Sequence, residues 1–102
     1  TSRGLGDVYK RQFRGIVTSA DAGNHKSESA DIYEMAMRRL QSNKRDTVVF
    51  EDALHAIRTA KAAGFRVAGV YEATAEQDQP EIQRLCDYYI RSYEELVQSE
   101  TF

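Results

Sequence analysis

A chain of 102 residues, 41% hydrophobic and 29% charged, is large enough for one globular domain with a modest core and too small for two. Its formal charge of −2 and pI near 5.7 offer no basic footprint for a phosphate backbone, so no nucleic-acid partner is expected. No apolar run reaches the about 18 residues that span a bilayer, and no signal-peptide pattern is present, so a soluble, cytoplasmic chain without a membrane partner is expected.

Taken in chain order, TSRGLGDVYKRQ, residues 1–12, is set apart from the fold as a tail or a scar. Its DVYKRQ resembles the translation of the transposon end used to prepare sequencing libraries. Without this segment, which holds Arg3, Lys10, Arg11 and Asp7, the formal charge becomes −4. The folded part is then residues 13–102, from a gene cut at its 5′ side. FRGIV reads as a short strand, and TSADAGNHKSES after it as a loop. In ADIYEMAMRRLQS, Ile32, Met35, Ala36 and Leu40 recur at helical spacing and leave Glu34, Arg38 and Arg39 outward.

SNKRD is a polar connection, and TVVF, without alternation, is a strand buried on both faces. ALHAIRTAKAAGF follows as a helix, with Leu54 and Ile57 one turn apart and Gly64 placed for a left-handed C-cap. RVAGVYE is a second buried strand, ATAEQDQ a loop, and PEIQRLCD a short helix with Pro80 in its first turn and Ile82, Leu85 and Cys86 inward. YYI is a last strand, and SYEELVQS a terminal helix whose Ser92 and Glu95 form a capping box. Cys86 is the sole cysteine, which excludes an intramolecular disulfide and a multi-cysteine metal site; it reads as a small buried hydrophobe.

Alternating buried strands and helices predict an α/β fold, a Rossmann-like parallel sheet with flanking helices and right-handed crossovers. Ligands of such sheets bind beyond the carboxyl ends of the strands, where Glu51 and Asp52 stand directly after TVVF. Two readings are open. Asp52 is an N-cap for the next helix, or the two hard oxygen donors hold a cation such as Mg²⁺; one oxygen can cap while another ligates.

The run TVVFEDALHAIRTAKAAGFRVAGVYE closely resembles the fourth motif of haloacid-dehalogenase-like hydrolases, in the subgroup of phosphoglycolate phosphatases and β-phosphoglucomutases. HKSESADIYEMAMRRL is similar to the same family's third motif, a lysine followed by an Asp-Ile-Tyr opening to a helix. The resemblance covers about residues 13–99 and implies the C-terminal half of a catalytic core domain. It implies that Asp52 is a magnesium ligand, that Glu51 ligates beside it directly or through water, and that Lys26 steadies the nucleophile and the phosphoryl charge. A shared dication would relieve the repulsion between the adjacent acids.

The departures are specific. The link after Lys26 is SESA, one residue longer than usual and without proline, so a solvated loop lysine is the competing reading of Lys26. Ala53 and Ala56 stand where serine and glycine are frequent. His25 and His55 have no partner at metal-ligand spacing. Thr18 and Ser19 are too near Lys26, with only seven residues between Thr18 and Lys26, to be the phosphate-binding hydroxyl motif. No Asp-x-Asp nucleophile motif occurs, and no cap domain is included. The expected function is therefore part of a Mg²⁺-dependent phosphatase acting on small phosphorylated metabolites, inactive by itself; a phosphomutase fragment and a non-catalytic α/β module are the alternatives.

Overall fold

The computed structural model describes residues 13–18 and 30–91. Lys26, His25, the 1–12 segment and the Ser92–Glu95 box lie outside them. Four strands, β1 (Gly15–Thr18), β2 (Thr47–Glu51), β3 (Arg66–Val70) and β4 (Tyr88–Ile90), pair in parallel in the order β1-β2-β3-β4. The connecting helices are α1 (Asp31–Arg39), α2 (Leu54–Ala62) and α3 (Gln79–Leu85). The α/β, Rossmann-like architecture read from the alternation of apolar runs is thus the one observed.

The strand period of two sorts the core into two faces. Val17, Val49, Val67 and Tyr89 point to the face that carries all three helices, where Tyr33, Ile57, Ala60, Phe65 and Ile82 complete one cluster. Phe13, Val48, Phe50, Ala68, Val70 and Ile90 are buried in a second cluster that draws no member from the helices. Every residue of β2 is buried, the outcome expected of a run without alternation.

Gly69 lets α3 approach: a Cβ there would lie 2.8 Å from Cys86 Sγ and 2.9 Å from Ile82 Cγ2. Cys86, half-buried against the sheet, has a thiol whose pKa is pushed up to about 11, chiefly by burial, and so stays unreactive at neutral pH.

Two helices end in the same way. After α2, the Gly64 N–H donates to Lys61 O at 3.0 Å and the Phe65 N–H to Ala60 O at 3.1 Å, with Gly64 at φ 93°. That is the C-cap foreseen at Gly64. After α1, the Gln41 N–H donates to Arg38 O at 2.9 Å and the Ser42 N–H to Met37 O at 3.1 Å, and here a glutamine takes φ 55°.

Helix α1 turns Ile32 and Ala36 to the core as its spacing predicted, but with Tyr33 and Met37 in place of Met35 and Leu40. Tyr33 is fully buried, Ile32, Ala36 and Met37 pack beside it, and Met35 and Leu40 are 53% and 45% exposed. The sequence ADIYEMAM supports two overlapping apolar stripes, and the aromatic stripe with the larger area to bury takes the sheet. ATAEQDQ, read as a loop, contains a kinked 3-10 helix, Ala73–Asp78, whose entry is fixed by Thr74 N–H donating to the Glu72 carboxylate at 3.2 Å. No helix among the described residues is long and apolar enough to cross a membrane.

Candidate active site

Glu51 is the last residue of β2 and Asp52 follows it, so both stand at the carboxyl end of the sheet. Period-two geometry sends the Glu51 side chain to the helix-bearing face, beside Gly69 in register on β3. It is 0% exposed. The Tyr33 hydroxyl donates to its Oε2 at 3.0 Å, and the Asp52 N–H donates to its Oε1 at 3.1 Å. Asp52 is partly buried, directly beyond the carboxyl end of β2.

The N-cap of α2 is Ala53, in an extended conformation, and the first turn closes by Ile57 N–H to Ala53 O at 2.9 Å. No side chain among the described residues caps this helix. The capping reading of Asp52 therefore fails by one residue: the aspartate precedes the cap, and its own N–H is taken by Glu51.

The electrostatics of the pair are unusual. Burial raises the Glu51 pKa above the ordinary carboxyl value; the Asp52 N–H and the Tyr33 hydroxyl work against that rise, and the Asp52 carboxylate adds to it. Burial and then the Glu51 charge push the Tyr33 phenol well above its usual range, so it remains a donor. Among the described residues, no Lys, Arg or His forms an ion pair with either acid. Among the described residues, this buried carboxylate stands beside a second one, is held by neutral donors and has no counter-charge. Two hard oxygen donors in that state fit Mg²⁺, which takes one or two carboxylates and fills its octahedron with waters and phosphate oxygens.

The described residues include no group of three or more His, Cys, Asp and Glu placed to hold a metal. A groove of about 720 Å³ lined by Tyr71, Gln79, Tyr89 and Arg91 lies beyond β3 and β4, and neither acid lines it. The chain thus brings Glu51 and Asp52 together and adds Tyr33, which periodicity reasoning missed. The signal that could have found it was the Asp-Ile-Tyr segment, whose tyrosine is the one bulky aromatic of α1. His55 is exposed on α2.

Residues 7–70 match the family described as haloacid dehalogenase-like hydrolase. Protein CbbY of Cereibacter sphaeroides is 36% identical over 56 residues, which is 55% of this chain and 24% of that protein. The chain thus spans about a quarter of the length of the curated relative it matches. No solved structure matches it significantly. The family match covers more than half of the chain and falls on the same strand, acidic pair and helix whose geometry is given above, so the chain belongs to the haloacid dehalogenase-like hydrolases.

Proposed function

We propose that this chain is the C-terminal part of a cytoplasmic, Mg²⁺-dependent phosphatase that hydrolyses small phosphorylated metabolites through an aspartyl-phosphate. The observation that carries the reading is the Glu51–Asp52 pair at the carboxyl end of β2, an acidic step without a cationic partner among the described residues. In this reading Asp52 offers a carboxylate oxygen to the metal, and Glu51 ligates beside it directly or through water. Glu51 also fixes the Asp52 backbone through its N–H. In the same reading Lys26, which lies outside the described residues, is assigned to the phosphate, where an ammonium would offset the phosphoryl charge. Bound Mg²⁺ would supply charge neutralisation and orientation for phosphoryl transfer, a reaction that needs little covalent chemistry beyond positioning.

These 102 residues contain no Asp-x-Asp nucleophile motif, so in this reading the chain alone is expected to be inactive. The test uses the full-length protein and a panel of small phosphate monoesters, with Mg²⁺ or with EDTA. Phosphate release that requires Mg²⁺ and falls at least about 100-fold in Asp52→Asn, a loss of several kcal/mol of charge stabilisation, is the expected result. Release that is indifferent to both would overturn the assignment.

A further inference from the structure

Tyr33 lies on α1, 18 residues from Glu51 in sequence, yet its hydroxyl meets the Glu51 carboxylate in the core. The two donors on that carboxylate act on different oxygens: Tyr33 on Oε2 and the Asp52 N–H on Oε1. Together they fix both the plane of the group and its rotation about the side chain. The Tyr33 ring is itself held, packed edge-on against Phe65 with centroids 6.2 Å apart. Each carboxylate oxygen has about two acceptor directions, so one remains on each after these bonds.

A hydrogen bond serving stability alone would need no charge. An ionised group buried with neutral donors costs free energy that a backbone carbonyl acceptor would avoid. The phenol and the Asp52 N–H hold the orientation of a fully buried carboxyl group at the carboxyl end of β2.

We propose that Tyr33 is a positioning residue for the acidic pair, orienting Glu51 so that its remaining acceptor directions and the adjoining Asp52 serve one divalent cation. This rests on the Mg²⁺ reading of the pair. Tyr33 touches neither metal nor substrate; it acts through Glu51, as the partners of metal ligands do when they fix ligand orientation.

The test measures Mg²⁺ affinity by calorimetry, with no substrate present, in full-length wild type, Tyr33→Phe and Asp52→Asn, together with metal-free Tm. Tyr33→Phe keeps the ring and removes the hydroxyl. The expected result is a 10–100-fold weaker Mg²⁺ affinity in Tyr33→Phe, as is typical when a ligand's hydrogen-bond partner is lost, and a larger loss in Asp52→Asn. A lower Tm with wild-type Mg²⁺ affinity in Tyr33→Phe, while Asp52→Asn loses affinity, overturns the positioning role and leaves the metal site standing. Unchanged affinity in Asp52→Asn removes the site and the inference together. A second measurement needs no substitution: with ¹³Cζ-labelled tyrosine in the wild-type protein, one solvent-shielded tyrosine resonance should shift along the Mg²⁺ binding curve. A titration that moves none contradicts the proposal.

Discussion

Two carboxylates at opposite ends of this sheet differ in how the described residues around them answer their charge. Asp87 sits just before β4, where its Oδ2 accepts from Lys61 Nζ and from the Val67 N–H, each at 2.9 Å. Burial works to raise its pKa, but the Lys61 ammonium and the Val67 amide outweigh it, and the carboxyl lies below the usual range. Glu51, at the carboxyl end of β2, is more deeply buried, has no ammonium partner among the described residues, and lies above that range with burial the leading cause. The charge of Asp87 is answered within the chain, and it ties α2 to the start of β3. The charge of Glu51 is answered by no cationic side chain among the described residues.

The largest expected effect comes from the glycine between the two acids. Gly69 pairs with Glu51 in register and faces Cys86, the neighbour of Asp87. Gly69→Ala should push α3 off the sheet and destabilise the protein by about 1–3 kcal/mol in thermal unfolding. A neutral result would mean that α3 is packed less closely than described.

Glu51→Gln comes next. The folded-state pKa of Glu51 is raised, so its contribution to stability is full below the ordinary glutamate value and is lost as pH rises through the folded value. Metal-free Glu51→Gln should therefore be more stable at pH 7 by about 1 kcal/mol, the scale of relieving a buried polar mismatch, and the gain should vanish on acidification. A loss at pH 7 would break the contrast.

Asp87→Asn should have the opposite sign. Its pKa is lowered, so its stabilisation is present above the ordinary aspartate value and is lost as pH falls through the folded value. The pair with Lys61 is about one-third exposed, so screening limits the expected cost at pH 7 to about 0.5–1 kcal/mol. A melt series from pH 7 downward should show wild type and variant converging in acid.

The smallest effect probes α1, which carries Tyr33 to Glu51. Gln41 adopts φ 55° at the helix end, where the equivalent residue of α2 is a glycine. Gln41→Gly should stabilise by about 0.5–1 kcal/mol, since relief of left-handed strain is partly offset by a more flexible unfolded chain. It should leave both acids unaffected.

The fold was legible because the buried runs TVVF and RVAGV carry no alternation and Gly64 marks a helix end by chemistry local to it. The acidic pair was legible too, since its position follows directly from where β2 stops. Tyr33 was not. Its partner is 18 residues away on another element, and helical spacing alone cannot choose between the stripe through Met35 and Leu40 and the one through Tyr33. The cap at Ala53 was missed for the opposite reason: residue preference favours Asp52, but the strand runs on through Glu51 and delays the helix by one residue.

The central proposal is that the Glu51–Asp52 pair at the carboxyl end of β2 binds a divalent cation and that Asp87 beside Lys61 does not. Its most direct test is Mg²⁺ titration calorimetry of the full-length protein with Asp52→Asn and, as the control, Asp87→Asn. The account predicts loss of Mg²⁺ binding in the first and wild-type affinity in the second. Equal affinity in wild type and Asp52→Asn would contradict it.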